Sequence, residues 1–234
     1  MNCKFGCKKE LKSLSNSFLP LFRHIDYSTI KSKLNYKVCN NCGSVFNLKL
    51  FNKESKIFSE KIFLDSKQTI SSINHDKGKN LFRHVIQANI ISKLKSGKRL
   101  NFLDYGCFDG KLLIELHKKN KDSSFYGIDK SPNFKKIFPN KKNFHYHTNI
   151  DEIKKKFDVV IFSDSLYYLN NAKKILEKVN EILKPDGFLF LQNTDLQKNP
   201  YYILNGDQYF FAFDEPMKHL LNLTKFKIIK KNFK

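Results

Sequence analysis

The chain contains no tryptophan among its 234 residues, and its 22 acidic side chains are outnumbered by 43 basic ones. No apolar run approaches the roughly 20 residues that a membrane-spanning helix needs, so no transmembrane segment is expected. Residues 1–9 are polar, which is unlike a secretory signal, and the expected location is therefore cytoplasmic. In that compartment the five cysteines are expected to stay reduced, so a metal site is favoured over disulfides. No internal repeat is visible. The dinucleotide loop G-x-G-x-x-G is also missing, because Phe108 and Lys111 stand where the second and third glycines after Gly106 should fall.

The formal charge of +21 invites a nucleic-acid reading, since lysines that neutralise phosphates give salt-dependent binding. Two features weigh against it. The lysines are spread over the whole length, and Lys, Asn, Ile and Phe are abundant together, as an AT-rich coding sequence would produce whatever the function. Runs such as Lys154 to Lys156 are most simply solvated faces. An acidic ligand remains open: a nucleotide sugar, RNA or an anionic membrane surface. Hydrophobic residues make up 41% of the chain, enough for a packed core.

The most informative segment is Leu100 to Gly110, LNFLDYGCFDG. Leu100, Phe102 and Leu103 read as a buried strand with Asp104 at its carboxyl end, and Gly106 and Gly110 punctuate a turn into the helical pattern LLIELHKK. Glycine at such a turn lets the backbone approach a ligand, and the following helix offers free N–H groups to an anionic part of it. About 20 residues on, Phe125 to Ile128 form a short apolar run ending in Asp129, whose two oxygens could accept both hydroxyls of a ribose. Phe157 to Phe162 reads as a central strand bounded by Ser163, a helix follows near 171–184, and Leu183-Lys184-Pro185-Asp186-Gly187 turns into a strand at Phe188 to Gln192.

This series resembles motif I, motif II, motif IV and the LKPGG-like turn of class I S-adenosylmethionine-dependent methyltransferases, with Phe108 in place of the middle glycine of motif I. The resemblance implies an α/β fold, a Rossmann-like methyltransferase sheet with helices on both faces. It implies a cofactor site of Asp104 near the methionine amino group, Gly106, Cys107 and Gly110 in the loop, Asp129 at the ribose, Asn149 near adenine, and Ser163. The last strands are expected around Phe226 to Ile229, and the Tyr- and Phe-rich segment from Thr194 to Phe211 is expected to form part of an acceptor wall.

At the amino-terminal end, Cys3 and Cys7 form a C-x3-C pair, and Cys39 and Cys42 form a C-x2-C pair followed by Gly43. Two such knuckles can give four thiolates to a tetrahedral Zn2+. Cys107 is not needed for this count. Together with Ser15 to Pro20, the pattern resembles the zinc-binding domain that precedes the methyltransferase domain in sugar C-methyltransferases. The expected division is a zinc-binding module at 1–50, a connecting segment at 51–79 and a methyltransferase domain at 80–234, entered by a helix from Leu81 to Leu94.

His75, His84, His145, His147 and Tyr167 are candidate bases, and no second motif singles out one as catalytic. Three function classes follow: methyl transfer to a small molecule such as a sugar, RNA methylation with a zinc knuckle, and a non-catalytic binding protein on the same fold. The oligomeric state and the methylated atom are not legible.

Overall fold

The computed structural model describes residues 3–7, 10–14, 20–22, 29–31, 36–48, 73–76, 79–205 and 208–230. The connecting segment at 51–79 falls mostly outside them, as do residues 15–19. In chain order the strands and helices begin with β1 (Leu11–Ser13), β2 (Pro20–Phe22), β3 (Thr29–Lys31), β4 (Tyr36–Cys39) and β5 (Val45–Asn47). After β6 (Ile73–Asp76) and β7 (Lys79–Phe82) come α1 (Arg83–Leu94), β8 (Asn101–Tyr105), α2 (Lys111–Lys119), β9 (Ser124–Ile128), β10 (Phe144–His147) and β11 (Phe157–Ser163). The last are α3 (Ala172–Ile182), β12 (Leu183–Gln192), β13 (Phe210–Phe211) and α4 (Asp214–Leu223). Contacts divide the chain into two compact units, one of Glu60–Ser163 with Ile182–Gln192, the other of Met1–Ser59, Asp164–Glu181 and Asn193–Lys234.

The first unit holds a five-stranded sheet in the order β10-β9-β8-β11-β12, and every pairing in it is parallel. This is the expected Rossmann-like methyltransferase sheet with flanking helices. Parallel interior strands are buried on both faces and read as continuous apolar runs; Phe157 to Phe162 does so, with residues 159–162 all 0% exposed. Register is reinforced by aromatic rungs. Phe102 pairs with Phe125 and Phe125 with Phe144, and their rings stack at 5.4 and 4.9 Å. Ala88 and Ile91 of α1 and Leu112, Leu113 and Leu116 of α2 close over Phe102, Phe125, Val159 and Ile161 to make the core. On β12 the ladder jumps from Leu183 opposite Phe157 to Phe188 opposite Val159, so the Lys-Pro-Asp-Gly turn bulges out of the sheet.

The second unit holds a four-stranded sheet, β1-β4-β5-β13, whose pairings are antiparallel. Its fourth strand comes from far along the chain, with Phe210 opposite Phe46. Phe5 packs edge-on against both rings, at 5.0 Å each, and all three are almost fully buried. Phe210 and Phe211 are therefore core residues of this unit.

The expectation of strands at Phe226 to Ile229 is corrected. Lys225 adopts φ +64°, and the Phe226 N–H returns to Leu221 O at 2.8 Å, a left-handed helix stop that closes α4. Residues 226–230 then run without strand structure, with Ile229 79% exposed. Local termination of the helix consumes the residues whose apolar alternation resembles a strand.

Candidate functional site

The carboxyl edge of the parallel sheet gathers the residues that the motifs single out. Asp104 on β8 stands in register with Gly127 on β9, and Asp129 directly follows β9, so the two carboxylates occupy adjacent strand ends. Asp104 is 3% exposed and its Oδ1 is buried without a hydrogen-bond partner. Burial, and after it the charge of Asp129, push its carboxyl up to about 7, with Arg83 at the start of α1 pulling the other way. An unpaired buried carboxylate is costly, and a cationic N–H donor placed beside it would both satisfy the oxygen and restore its charge.

The loop between β8 and α2 is tied to the end of β9. The N–H groups of Gly106 and Cys107 both bond to Ile128 O, at 2.7 and 3.1 Å, and the Gly110 N–H bonds to Cys107 O at 2.8 Å. Gly110 has φ +71°, and a Cβ there would lie 2.7 Å from Pro139 Cδ and 2.9 Å from the Phe138 ring. Only glycine fits that position. Phe108 also sits in the left-handed region, at φ +47°, which costs a non-glycine residue about 1 kcal/mol or more. Two contacts hold it there: its N–H bonds to Asp129 Oδ2 at 3.1 Å, and its ring meets the Phe134 ring edge-on at 4.8 Å.

Asp129 accepts a second N–H, from Ser131 to Oδ1 at 3.3 Å. Burial raises its carboxyl, and these N–H groups pull it part of the way back. Each oxygen keeps a lone pair for a hydroxyl. Beside it the Ser131 Oγ is buried with no partner. Ser163, at the end of β11, accepts from Gln87 Nε2 at 2.7 Å, and the same amide donates to Gln192 Oε1 at 2.9 Å.

Three of these residues escaped the sequence reading. Ser131 was signalled by Asp-Lys-Ser directly after a strand, a turn in which the carboxylate bonds two residues on. Gln87 is an amide inside the apolar face of α1, and Arg83 gave no signal.

Cys107 and Asn149 have local partners of their own. The Cys107 sulfur joins the core, 2.6 Å from where a Gly127 Cβ would sit, so only its backbone borders the loop. Asn149 is exposed and its Oδ1 accepts the Asp151 N–H at 3.2 Å, capping the turn Ile150–Glu152.

Among the candidate bases, Tyr167 is buried, donates to Ala212 O at 2.8 Å and has its hydroxyl pushed above the ordinary range by burial. It is a structural residue. His145 stacks on Tyr126, His147 pairs with Glu152 at 3.2 Å, and His84 stacks on Phe82. The side chain of His75 lies outside the described residues.

In the other unit the two cysteine pairs converge. The sulfurs of Cys3, Cys7, Cys39 and Cys42 all lie within 4.8 Å of one another, and Cys3 and Cys42 are 3.8 Å apart. Tetrahedral ligation at about 2.3 Å requires sulfur separations of about 3.8 Å, so the donor set fits zinc. Each knuckle turns on a left-handed glycine, Gly6 at φ +87° and Gly43 at φ +71°. The Phe5 N–H donates to Cys3 Sγ at 3.4 Å, and His219 Nε2 on α4 lies 3.5 Å from Cys7 Sγ.

Comparison with known proteins agrees with this geometry. Residues 75–220 match the family model described as a methyltransferase domain. A curated relative, "Putative methyltransferase 235L" of Invertebrate iridescent virus 6, is 23% identical over 129 residues, covering 53% of this chain and 49% of the relative. The chain thus spans about half the length of that relative.

Among solved structures, the plantazolicin methyltransferase BpumL, in complex with a monoazolic desmethylPZN analog and SAH, superposes with a TM-score of 0.50. It is 16% identical and covers 61% of this chain and 62% of its own. A chain of the "Complex between the Haloferax volcanii Trm112 methyltransferase activator and the putative methyltransferase" gives 0.52 at 15% identity, covering 60% of this chain and 67% of its own. These likenesses concern the fold. With the sheet order, the glycine loop and the matched residues in agreement, the chain belongs to the methyltransferase-domain family.

Proposed function

We propose that the chain binds S-adenosylmethionine at the carboxyl edge of the parallel sheet and transfers its methyl group to a small-molecule acceptor. The observation that carries this reading is the buried, unpartnered Oδ1 of Asp104, one strand away from Asp129. The methionine ammonium would supply the donor Asp104 lacks. The ribose hydroxyls would take the remaining lone pairs of Asp129 and the orphan Oγ of Ser131, and the turn at Gly106 would leave the backbone open to the methionine tail. The cofactor provides the methyl on a sulfonium; the protein contributes orientation, because in-line attack needs the acceptor held at near-contact distance. No residue is assigned as base.

The second half of the reading is that Cys3, Cys7, Cys39 and Cys42 hold one structural Zn2+, closed to solvent by four thiolates. A zinc-binding module before a methyltransferase domain resembles the sugar C-methyltransferases, and the acceptor favoured here is accordingly a sugar or its nucleotide-linked form.

Incubation of the purified chain with methyl-labelled S-adenosylmethionine and either a panel of nucleotide sugars or total RNA tests the acceptor. Label should enter the sugar fraction. Label in RNA alone would replace this acceptor class with nucleic acid.

A further inference from the structure

Four thiolates around one Zn2+ leave negative charge in excess, and Cys3, Cys7 and Cys39 are buried. Such a centre is held by N–H and O–H donors aimed at its sulfurs, which draw off part of that charge. Two of the donors are local: the Phe5 N–H lies 3.4 Å from Cys3 Sγ, and the Ser44 hydroxyl oxygen lies 3.3 Å from Cys42 Sγ. Another comes from far along the chain, where His219 Nε2 stands 3.5 Å from Cys7 Sγ. We propose that His219 is a positioning residue of the metal centre, whose Nε2–H donates to the Cys7 thiolate and ties α4 to the bound metal. This rests on the reading of the four cysteines as a zinc site.

The direction of the bond follows from the chemistry of the pair. A metal-bound thiolate has no proton to give, so the proton must sit on Nε2, where the neutral Nε2–H tautomer and the imidazolium both carry it. The imidazole is not needed as a ligand. Four sulfurs within 4.8 Å of one another already complete a tetrahedral set.

The helix meets both knuckles. A Cβ at Gly43 would lie 3.3 Å from Pro216 Cγ, so the second knuckle approaches the first turn of α4 closely, at a residue without a side chain. His219 stands at i+3 from Pro216, on the same side of the helix, and reaches the first knuckle at Cys7. Just before α4, Phe210 and Phe211 of β13 pair with Phe46 and Val45 of β5, the strand that follows the second knuckle. The segment β13–α4 is therefore held beside the cysteines by a strand pairing, a close packing contact and a hydrogen bond. The last is charge-assisted once a metal keeps Cys7 as thiolate, which couples metal occupancy to the seating of α4.

Two variants separate the N–H from the ring: His219→Phe keeps a ring and loses the donor, and His219→Gln keeps an N–H at similar reach. Zinc affinity of the whole chain, measured by competition with a chromogenic chelator, should fall roughly ten- to a hundredfold in His219→Phe, the usual worth of an outer hydrogen bond to a metal ligand, and stay near wild type in His219→Gln. In cobalt(II)-substituted protein the sulfur-to-metal charge-transfer band should move to longer wavelength in His219→Phe alone, because a thiolate without its donor gives up an electron more readily. The d–d bands of tetrahedral thiolate ligation should persist in both variants. Unchanged affinity and spectrum in His219→Phe overturn the proposal. Equal impairment of both variants also overturns it, by making the ring's packing the cause, and so does loss of the four-sulfur spectrum in His219→Phe, which would make His219 a ligand. Wild-type chain that takes up neither zinc nor cobalt overturns the zinc reading itself, and the proposal with it.

Discussion

Asp104→Asn should stabilise the ligand-free protein while weakening it as a cofactor binder. In the folded chain the Asp104 carboxyl stands at about 7 rather than 3.8, chiefly through burial. Each tenfold change in proton affinity is about 1.4 kcal/mol, so holding this group ionised in the folded state costs roughly 4 kcal/mol. The sign follows from the raised value. Between the unfolded and folded values the native state binds the extra proton, so stability falls as pH rises from about 4 to 7 and is level above that.

Asn cannot ionise. At pH 8 the variant should therefore unfold at a higher temperature, by up to about 10 °C for a chain of this size, and the gain should shrink steadily as the buffer approaches pH 4. Thermal melts followed by circular dichroism at pH 5, 6, 7 and 8 measure this.

Cofactor binding moves oppositely. The methionine ammonium needs the ionised carboxylate, so wild-type affinity for S-adenosylmethionine should fall as pH drops below about 7, because the proton on Asp104 must leave. The variant should bind weakly, by about 1.5 to 3 kcal/mol at pH 7.5, and without that pH dependence. A wild-type affinity level from pH 5.5 to 7.5, with Asp104→Asn binding equally well, would refute the reasoning.

Asp129→Ala should weaken S-adenosylmethionine by about 1 to 3 kcal/mol in calorimetry, through lost hydrogen bonds and release of the Phe108 N–H. Gly106→Val should be worse, because the φ of +82° opposes a branched side chain that would also occupy the space of the cofactor tail. Gly127→Ala should destabilise the fold by about 1 to 3 kcal/mol in urea titrations, since its methyl would meet the Cys107 sulfur and the Phe138 ring at 2.6 Å. Cys107→Ala in the same chain should recover part of that loss. Metal analysis should find one zinc per chain, with Cys39→Ser both lowering it and loosening the sheet that β4 and β13 share with β5.

The sheet was legible because three of its strands are apolar runs closed by a marked residue: Asp104, Asp129 and Ser163 punctuate β8, β9 and β11. The cysteine convergence was legible from spacing alone. Tertiary pairing was not. Phe210 and Phe211 look like pocket aromatics until β13 is found beside β5, a contact spanning most of the chain that no local pattern encodes.

Phe226 to Ile229 alternates like a strand, yet the left-handed Lys225 uses its first residue to stop α4. Asn149 and Cys107 had motif positions but different local partners, a turn N–H and a packed glycine. Ser131 and Gln87 matter through hydrogen bonds set by the ends of neighbouring elements, which a linear reading does not order.

Equilibrium binding of S-adenosylhomocysteine to the wild-type chain at pH 7.5 tests the central claim most directly, since it needs neither the acceptor nor turnover. A single saturable site per chain is expected, abolished or strongly weakened by Asp129→Ala. Wild-type protein that stays folded and binds neither S-adenosylhomocysteine nor S-adenosylmethionine at millimolar concentration would contradict it.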